Sequence, residues 1–362
     1  MFETNKSVFL PHKISNGLQK MKRVLLLLYM PLVAFFASCS TDVNIYADYK
    51  EFPIIYGVLD ANADTNFIKI TRSFYVQGDP YESALNPDSS NYPGKLDVRI
   101  IEYCNGDSVR EFILDTITIR DKSQGLFYAP LQKMYYMTER LPINNNTKKY
   151  SYKLKVALPE FTLATKTNLV GDGYFNVQSL GVNFSKQYID AIPRHFLFRP
   201  AINAAYYDIY FAFNFKEQRT PDGDSVPRSM CWYIGTYEDY DLSLSMDNGF
   251  YVFYYWPKTF YEELEKFFGG DTVANDSLKR FFGDYPVDVI ITAGGDKLSQ
   301  YVHASEALLE PGLSENDLSP LNGGYGVFSS RFTVRHAVGL AGETVPDLLA
   351  EQKWGFKFIG GK

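Results

Sequence analysis

The chain has 362 residues, 46% hydrophobic and 16% aromatic, with 36 basic against 42 acidic side chains. That length allows two domains of ordinary size. The acidic balance excludes nucleic acid as a natural partner, because affinity for a phosphate backbone comes from lysine and arginine displacing counterions.

Residues 1–20 are polar and carry Lys6, Lys13 and Lys20, and Met21-Lys22-Arg23 then begins a complete export signal by itself. Translation is therefore expected to start at Met21. Val24–Ala37 supplies 14 largely apolar residues and contains Pro31, whereas a membrane span needs about 20. A basic flank, a short apolar run and the small residues Ala37-Ser38 before Cys39 describe a bacterial lipoprotein signal peptide,. Acylation of Cys39 and of the amine freed by cleavage puts several acyl chains in the bilayer, and at about 0.8 kcal/mol per buried methylene more than one chain anchors stably. Ser40 stands where an aspartate would resemble an inner-membrane retention signal, so the outer membrane is expected, with its face left open. Losing residues 1–38 removes five of the 36 basic residues and one of the 42 acidic ones, for a mature charge of about −10. Residues 39–49 are the anchor and tether.

Beyond the tether, 28 Phe, 28 Tyr and 3 Trp favour strands,. Period-two alternation then recurs. Leu96, Val98 and Ile100 alternate with Asp97 and Arg99, and Tyr150, Tyr152, Leu154 and Val156 alternate with Ser151, Lys153 and Lys155,. Phe52–Leu59, Phe67–Thr71, Glu111–Ile119 and Phe161–Thr167 complete a set of short strands with turn-rich joints, which predicts an immunoglobulin-like β-sandwich over 50–172,. Asn168–Gly173 reads as the boundary. Residues 173–362 read as a larger β-rich domain with short helical insertions. Its expected strands are Tyr207–Phe215, Phe250–Trp256, Val287–Thr292, Val327–Val334 and Trp354–Ile359. Thr259-Phe-Tyr-Glu262 has the spacing of a capping box, with Gly269-Gly270 as the stop,. Further helices are expected over Asp276–Phe282 and Lys297–Leu309. The fold class expected is mainly β.

Candidate sites are few. Asp60, Asn62, Asp64 and Asn66 alternate as in a calcium loop, but Thr65 and Thr71 stand where that loop needs glycine and glutamate, so a polar hairpin turn is expected,. Asn322-Gly-Gly-Tyr-Gly326 lacks the spacing and the following helix of a phosphate-binding loop and leads into Val327-Phe328 instead, which suits a tight turn and bulge. His195, His303 and His336 form no local metal pair and accompany no Gly-x-Ser-x-Gly elbow,. Cys104 and Cys231 are far apart, and either a disulfide or two free buried thiols fits them. No metal and no cofactor is expected. Within Phe250–Trp256, alternation puts Phe250, Val252, Tyr254 and Trp256 on one face and Tyr251, Phe253 and Tyr255 on the other. Tyr251, Tyr254, Tyr255 and Trp256 are the candidate binding surface, for a sugar ring or a protein partner, and a strand buried on both sides is the alternative.

The lipoprotein signal, Pro53-Ile-Ile-Tyr-Gly-Val-Leu59 with Ile-Lys-Ile-Thr-Arg (68–72), Tyr-Lys-Leu-Lys-Val-Ala (152–157), Ala164-Thr165 and Asn322-Gly-Gly-Tyr-Gly-Val-Phe328 resemble a large uncharacterised outer-membrane lipoprotein family of Bacteroidota, often encoded beside TonB-dependent receptors. The resemblance spans most of the mature chain and implies an outer-membrane location, an immunoglobulin-like start and service to a transporter; it carries over no catalytic residue. The expected role is non-enzymatic: an envelope lipoprotein binding a glycan or a TonB-dependent receptor. Alternatives are a fimbrillin-like structural surface subunit, and a hydrolase with a site assembled from distant residues.

Overall fold

The computed structural model describes residues 50–359 apart from 77–78, 121–130, 221, 245, 270–277, 308–318 and 320. The expected signal segment, Cys39 and the expected tether lie outside the described residues. The chain is mainly β, as expected. Its first part holds strands β1 (Pro53–Asp60), β2 (Asn66–Arg72), β3 (Asp97–Cys104), β4 (Asp107–Ile113), β5 (Asp115–Ile119), β6 (Gln132–Met137), β7 (Tyr150–Ala157) and β8 (Thr162–Asn168). Two short helices, α1 (Pro80–Ala84) and α2 (Pro87–Ser90), sit between β2 and β3. Their starts are written locally: Asp79 and Asn86 cap them from the side chain, and each has proline at its first turn,.

β3, β4, β7 and β8 form a four-stranded sheet in the order β4-β3-β7-β8, with Val98, Ile100, Tyr152, Leu154, Val156 and Leu163 turned to the core. Glu102 is buried with them because two donors meet it: Tyr152 Oη at 2.9 Å and Arg110 Nη2 at 3.2 Å. β1, β2, β5 and β6 belong to a different sheet, and that sheet is completed from the far end of the sequence. β17 (Tyr325–Leu340) pairs its first half in parallel with β1, from Ile54↔Tyr325 to Asp60↔Arg331. Its second half pairs antiparallel with β16 (Val287–Gly294), from Gly294↔Arg331 to Val287↔Val338. The expected boundary at Asn168–Gly173 therefore does not divide the strands into two independent sets. Parallel pairing needs a long crossover, which no pattern inside 50–172 announces.

Two glycines make that junction possible. Gly326 has φ +102°, and a Cβ there would stand 2.1 Å from the Ile55 carbonyl oxygen; Gly57 lies beneath Ile68 and Phe328. The glycine-rich segment before β17 is thus the tight turn its sequence suggests, while in place of the expected bulge the register with β1 runs unbroken through the close approach at Gly326. The Asp60–Asn66 loop is likewise internally satisfied: Asn66 Oδ1 accepts from the Asp60 amide at 2.7 Å, and Asp60 Oδ2 accepts from Arg331 Nε at 2.9 Å.

The second part adds β9 (Gly181–Val182), β10 (Arg194–Phe198), β11 (Tyr206–Gln218), β12 (Val226–Glu238), β13 (Met246–Asp247), β14 (Phe250–Tyr255), β15 (Lys279–Phe282) and β18 (Phe356–Phe358). Among the described residues the large sheet has eleven strands, running β18-β15-β11-β16-β17-β1-β2-β6-β5, with β12 on β11 and β9 on β17. β10, β14 and β13 make a smaller three-stranded sheet. Helices α3 (Asp239–Ser243), α4 (Lys258–Phe268), α5 (Asp296–Ala307) and α6 (Thr344–Ala350) decorate this part. Most of the aromatic payload is spent here: Phe184, Phe196, Phe211, Phe213, Phe253 and Phe260 are at most 1% exposed, and the rings of Phe184 and Phe260 stack at 4.6 Å. Such pairs add about 0.5–1.5 kcal/mol each beyond area burial.

Three expectations are corrected. Lys279–Phe282 is a strand, β15, wedged between β11 and β18, rather than the end of a helix; the helix-like segment offered two phenylalanines, Phe281 and Phe282, whose alternate burial suits a strand. α4 starts at Lys258, so Thr259 is inside the first turn and its hydroxyl donates back to the Trp256 carbonyl instead of capping. Gly269 does end it, at φ +48°. Trp354 closes a 3-10 turn rather than opening a strand, and β18 begins at Phe356. The last residues expected in the third helix, 308–309, lie outside the described residues.

Candidate functional site

β11 positions the site. Tyr207, Ile209, Phe211 and Phe213 point to the aromatic core, so Tyr206, Asp208, Tyr210, Ala212, Asn214 and Lys216 share the opposite, outer face,. Cross-strand register extends this face over four strands. One row runs Thr236, Asp208, Thr292, Thr333; the next runs Tyr233, Tyr210, Ile290, Arg335. A third brings Cys231, Ala212 and Asp288 into line.

A bulge makes the second row. Ile209 pairs with Gly235 but Tyr210 pairs with Tyr233, leaving Ile234 as the extra residue of β12. One inserted residue flips every later side chain to the other face. Tyr233 thereby lands beside Tyr210, with ring centroids 5.1 Å apart, while Trp232 and Met230 turn into the core.

Polar groups on this face are held in place by one another. Asp208 is half-buried, and burial raises its carboxyl pKa while the Thr236 hydroxyl that donates to Oδ1 works against that rise. The Thr236 and Tyr233 hydroxyls lie 2.6 Å apart. The Thr292 and Thr333 hydroxyls are paired at 2.9 Å. Asp288 Oδ2 accepts from Asn214 Nδ2 at 2.9 Å and from Arg335 Nη1 at 3.3 Å. Toward the far end of β11 the face opens into a groove of about 500 Å³, bordered by Asn214, Lys216, Ser229, Phe281, Tyr285 and Ile359. From Asp208 to Lys216 the strand rises about 27 Å. At the near end, α5 presents Ser299 and His303 one turn apart to Glu238: His303 Nε2 lies 2.6 Å from Oε1, and Ser299 Oγ donates to Oε2 at 3.5 Å.

The residues expected to form a binding surface are split by the strand they share. Tyr251 and Tyr255 are buried. Tyr251 donates to Asp239 Oδ1 at 2.7 Å, and Tyr255 Oη accepts from the Asn183 amide at 2.7 Å. Burial pushes the Tyr255 phenol up to about 12, against the opposing pull of the Asn183 amide and Arg194. Both belong to the core and leave the candidate surface. Tyr254 and Trp256 are exposed at 56% and 44%, with the His195 ring 5.8 Å from Tyr254. Among the described residues the three histidines do not converge: His195 is on β10, His303 pairs with Glu238, and His336 is opposite Val289 within β17. Cys104 is half-buried and Cys231 exposed, both as free thiols.

What the face offers chemically is a row of hydroxyl, carboxylate and amide groups beside two tyrosine rings. Carboxylates accept from hydroxyls, side-chain amides both accept from and donate to them, and tyrosine rings give flat apolar area with a polar tip. Asp208, Tyr210 and Asn214 stand in the sequence as the polar half of a visible alternation; Tyr233 and Thr236 lie on a strand that the pattern hides. Comparison with protein-family models and with curated proteins finds no match.

Proposed function

We propose that the chain is a non-enzymatic, Cys39-acylated lipoprotein of the outer membrane whose second part binds a polyhydroxylated ligand, a carbohydrate, as accessory to a transporter. The observation that carries the binding half is the outer face of β12-β11-β16-β17. There two tyrosine rings, the Asp208 carboxylate and the paired threonine hydroxyls lie in adjacent rows. The flat faces of the rings suit the C–H face of a sugar, and the side-chain acceptors suit its hydroxyls. The envelope half rests on the order of charge, apolar run, small residues and cysteine at 21–39.

Calorimetric titration with a panel of neutral oligosaccharides tests the site. Binding is expected to weaken about tenfold in Tyr233→Ala, the value of roughly 1.4 kcal/mol for one stacked ring, and to be unchanged in Tyr254→Ala. Equal loss in both variants, or no saccharide bound by the parent chain, overturns the assignment. Metabolic labelling with palmitate tests the anchor: label is expected in the parent chain and absent from Cys39→Ala.

A further inference from the structure

The four-stranded sheet β4-β3-β7-β8 carries a cationic outer face on an otherwise acidic protein. Its outward rows place Arg99 beside Lys155, and Lys153 beside Lys166. Arg99 is satisfied by Asp97 at 2.9 Å and Glu111 at 3.5 Å. Lys153 and Lys155 have no carboxylate within 4 Å among the described residues. Lys153 and Lys166 are direct register partners on adjacent strands, and like charges in that relation destabilise a sheet. The Lys166 ammonium sits 5.0 Å over the Tyr103 ring, and the Lys166 carbonyl accepts from Lys297 Nζ at 2.7 Å, which ties β8 to α5. Three lysines thus gather on one sheet face with their backbone fixed and with no carboxylate bridged to Lys153 or Lys155 among the described residues.

We propose that this face docks on an anionic lipid surface, with Lys153, Lys155 and Lys166 against headgroup phosphates. The choice of occupant rests on the lipoprotein reading. Fourteen residues from Cys39 to Pro53 reach at most about 50 Å, so a protein anchored at Cys39 keeps the start of β1 within that distance of the bilayer, and Leu163 of β8 in the four-stranded sheet meets Pro53 at Gly324. Tethering makes docking an intramolecular event, for which weak contacts suffice. A body of net charge near −10 is repelled by anionic headgroups in most orientations. Turning the lysine face inward is the orientation that repulsion favours, and it aims the opposite parts of the molecule away from the membrane.

The test uses the full chain carrying Cys39→Ala, so that no acyl chain contributes, and co-sedimentation with vesicles at about 0.1 M salt. Vesicles of phosphatidylcholine alone give the baseline, which includes whatever the apolar segment 24–37 adds. Replacing 30% of the lipid by phosphatidylglycerol is expected to raise binding at least tenfold, and about 0.5 M salt to abolish the gain. Each of Lys153→Gln, Lys155→Gln and Lys166→Gln is expected to cost about fivefold, and the triple variant to keep only the share of the gain that Lys6, Lys13, Lys20, Lys22 and Arg23 contribute,. All three side chains are outward, and near-UV circular dichroism verifies that the variants keep their aromatic packing. Equal binding to both vesicles overturns the proposal. So does a gain that the triple variant retains in full, or one that inorganic phosphate at matched phosphate concentration removes, since that marks a site for free anions. Loss of palmitate labelling with the vesicle result intact removes only the anchor; the reverse outcome removes only the docking face.

Discussion

Arg280→Met is the most informative perturbation of the fold beneath the groove. The Arg280 side chain is 0% exposed. Nε donates to Glu217 Oε2 at 3.0 Å, Nη1 donates to the Trp354 carbonyl at 2.6 Å, and the guanidinium lies 3.9 Å over the Phe268 ring. Methionine keeps the apolar stem but strands a carboxylate that is 4% exposed. Breaking a buried pair from one side costs about 3–5 kcal/mol. Glu217 retains Arg219 at 2.9 Å, an arginine that is itself 68% exposed, so the low end of that range applies. The orphaned Trp354 carbonyl adds about 1 kcal/mol, for a total of about 4 kcal/mol. Urea unfolding followed by tryptophan fluorescence reads the loss, and hydrogen exchange is expected to localise it to β15 and β18, since Arg280 ties both to β11. The sign with pH is fixed by Glu217. Burial pushes its carboxyl up, but the hydrogen bonds and charge of Arg280 and then Arg219 outweigh burial and hold it below the ordinary value. A depressed folded pKa stabilises above the unfolded value near 4.3 and ceases to do so as pH falls through the folded one. The gap between parent and Arg280→Met is therefore expected to be full at pH 7 and to narrow below about pH 4. A variant within about 1 kcal/mol of the parent at pH 7 would refute the reasoning.

Asp208→Asn separates stability from binding. Burial raises the Asp208 pKa, so its ionised form costs stability at neutral pH. The amide is expected to gain less than about 1 kcal/mol because the carboxylate is half in solvent, while saccharide affinity falls; a thermal melt and a titration of the same sample check both. For the parent chain, affinity is expected to decline as pH drops through a value above the ordinary 3.9, because a protonated Asp208 accepts hydroxyls less well. Lys166→Glu replaces a repelling cross-strand pair by an attracting one and is expected to stabilise by about 0.5–1 kcal/mol in low salt, an effect that should vanish near 1 M salt in the same denaturation assay. Gly326→Ala drives a Cβ to 2.1 Å from the Ile55 carbonyl at φ +102°. It is expected to cost about 3 kcal/mol, and a melting temperature unchanged within 2 °C would contradict the parallel junction of β1 with β17.

How much of this was legible depends on which interaction writes the pattern. Alternation found β3, β7 and β11, because each has one face on the core and one in solvent. It also divided β14 into its two faces, although only burial could say that Tyr251 and Tyr255 are core and that Tyr254 and Trp256 are surface. It failed on β12, the longest unrecognised strand. The bulge at Ile234 interrupts the period, and Pro227 with Arg228 at its start reads as loop. Period-two reasoning assumes an unbroken pleat, so a strand that aims a tyrosine by breaking the pleat is the one it cannot see. The junction of β1 with β17 was hidden for a different reason: about 270 residues separate its partners, and a parallel pairing leaves no turn to mark it. The candidate site inherits both failures. Asp208, Tyr210 and Asn214 are polar residues on the solvent side of a recognised strand, and such residues usually mean no more than solvation. What distinguishes them is the neighbour that the bulge supplies, Tyr233 at 5.1 Å from Tyr210 and hydroxyl-linked through Thr236 to Asp208. The site is thus a property of register between strands, and register is what a single sequence encodes least locally.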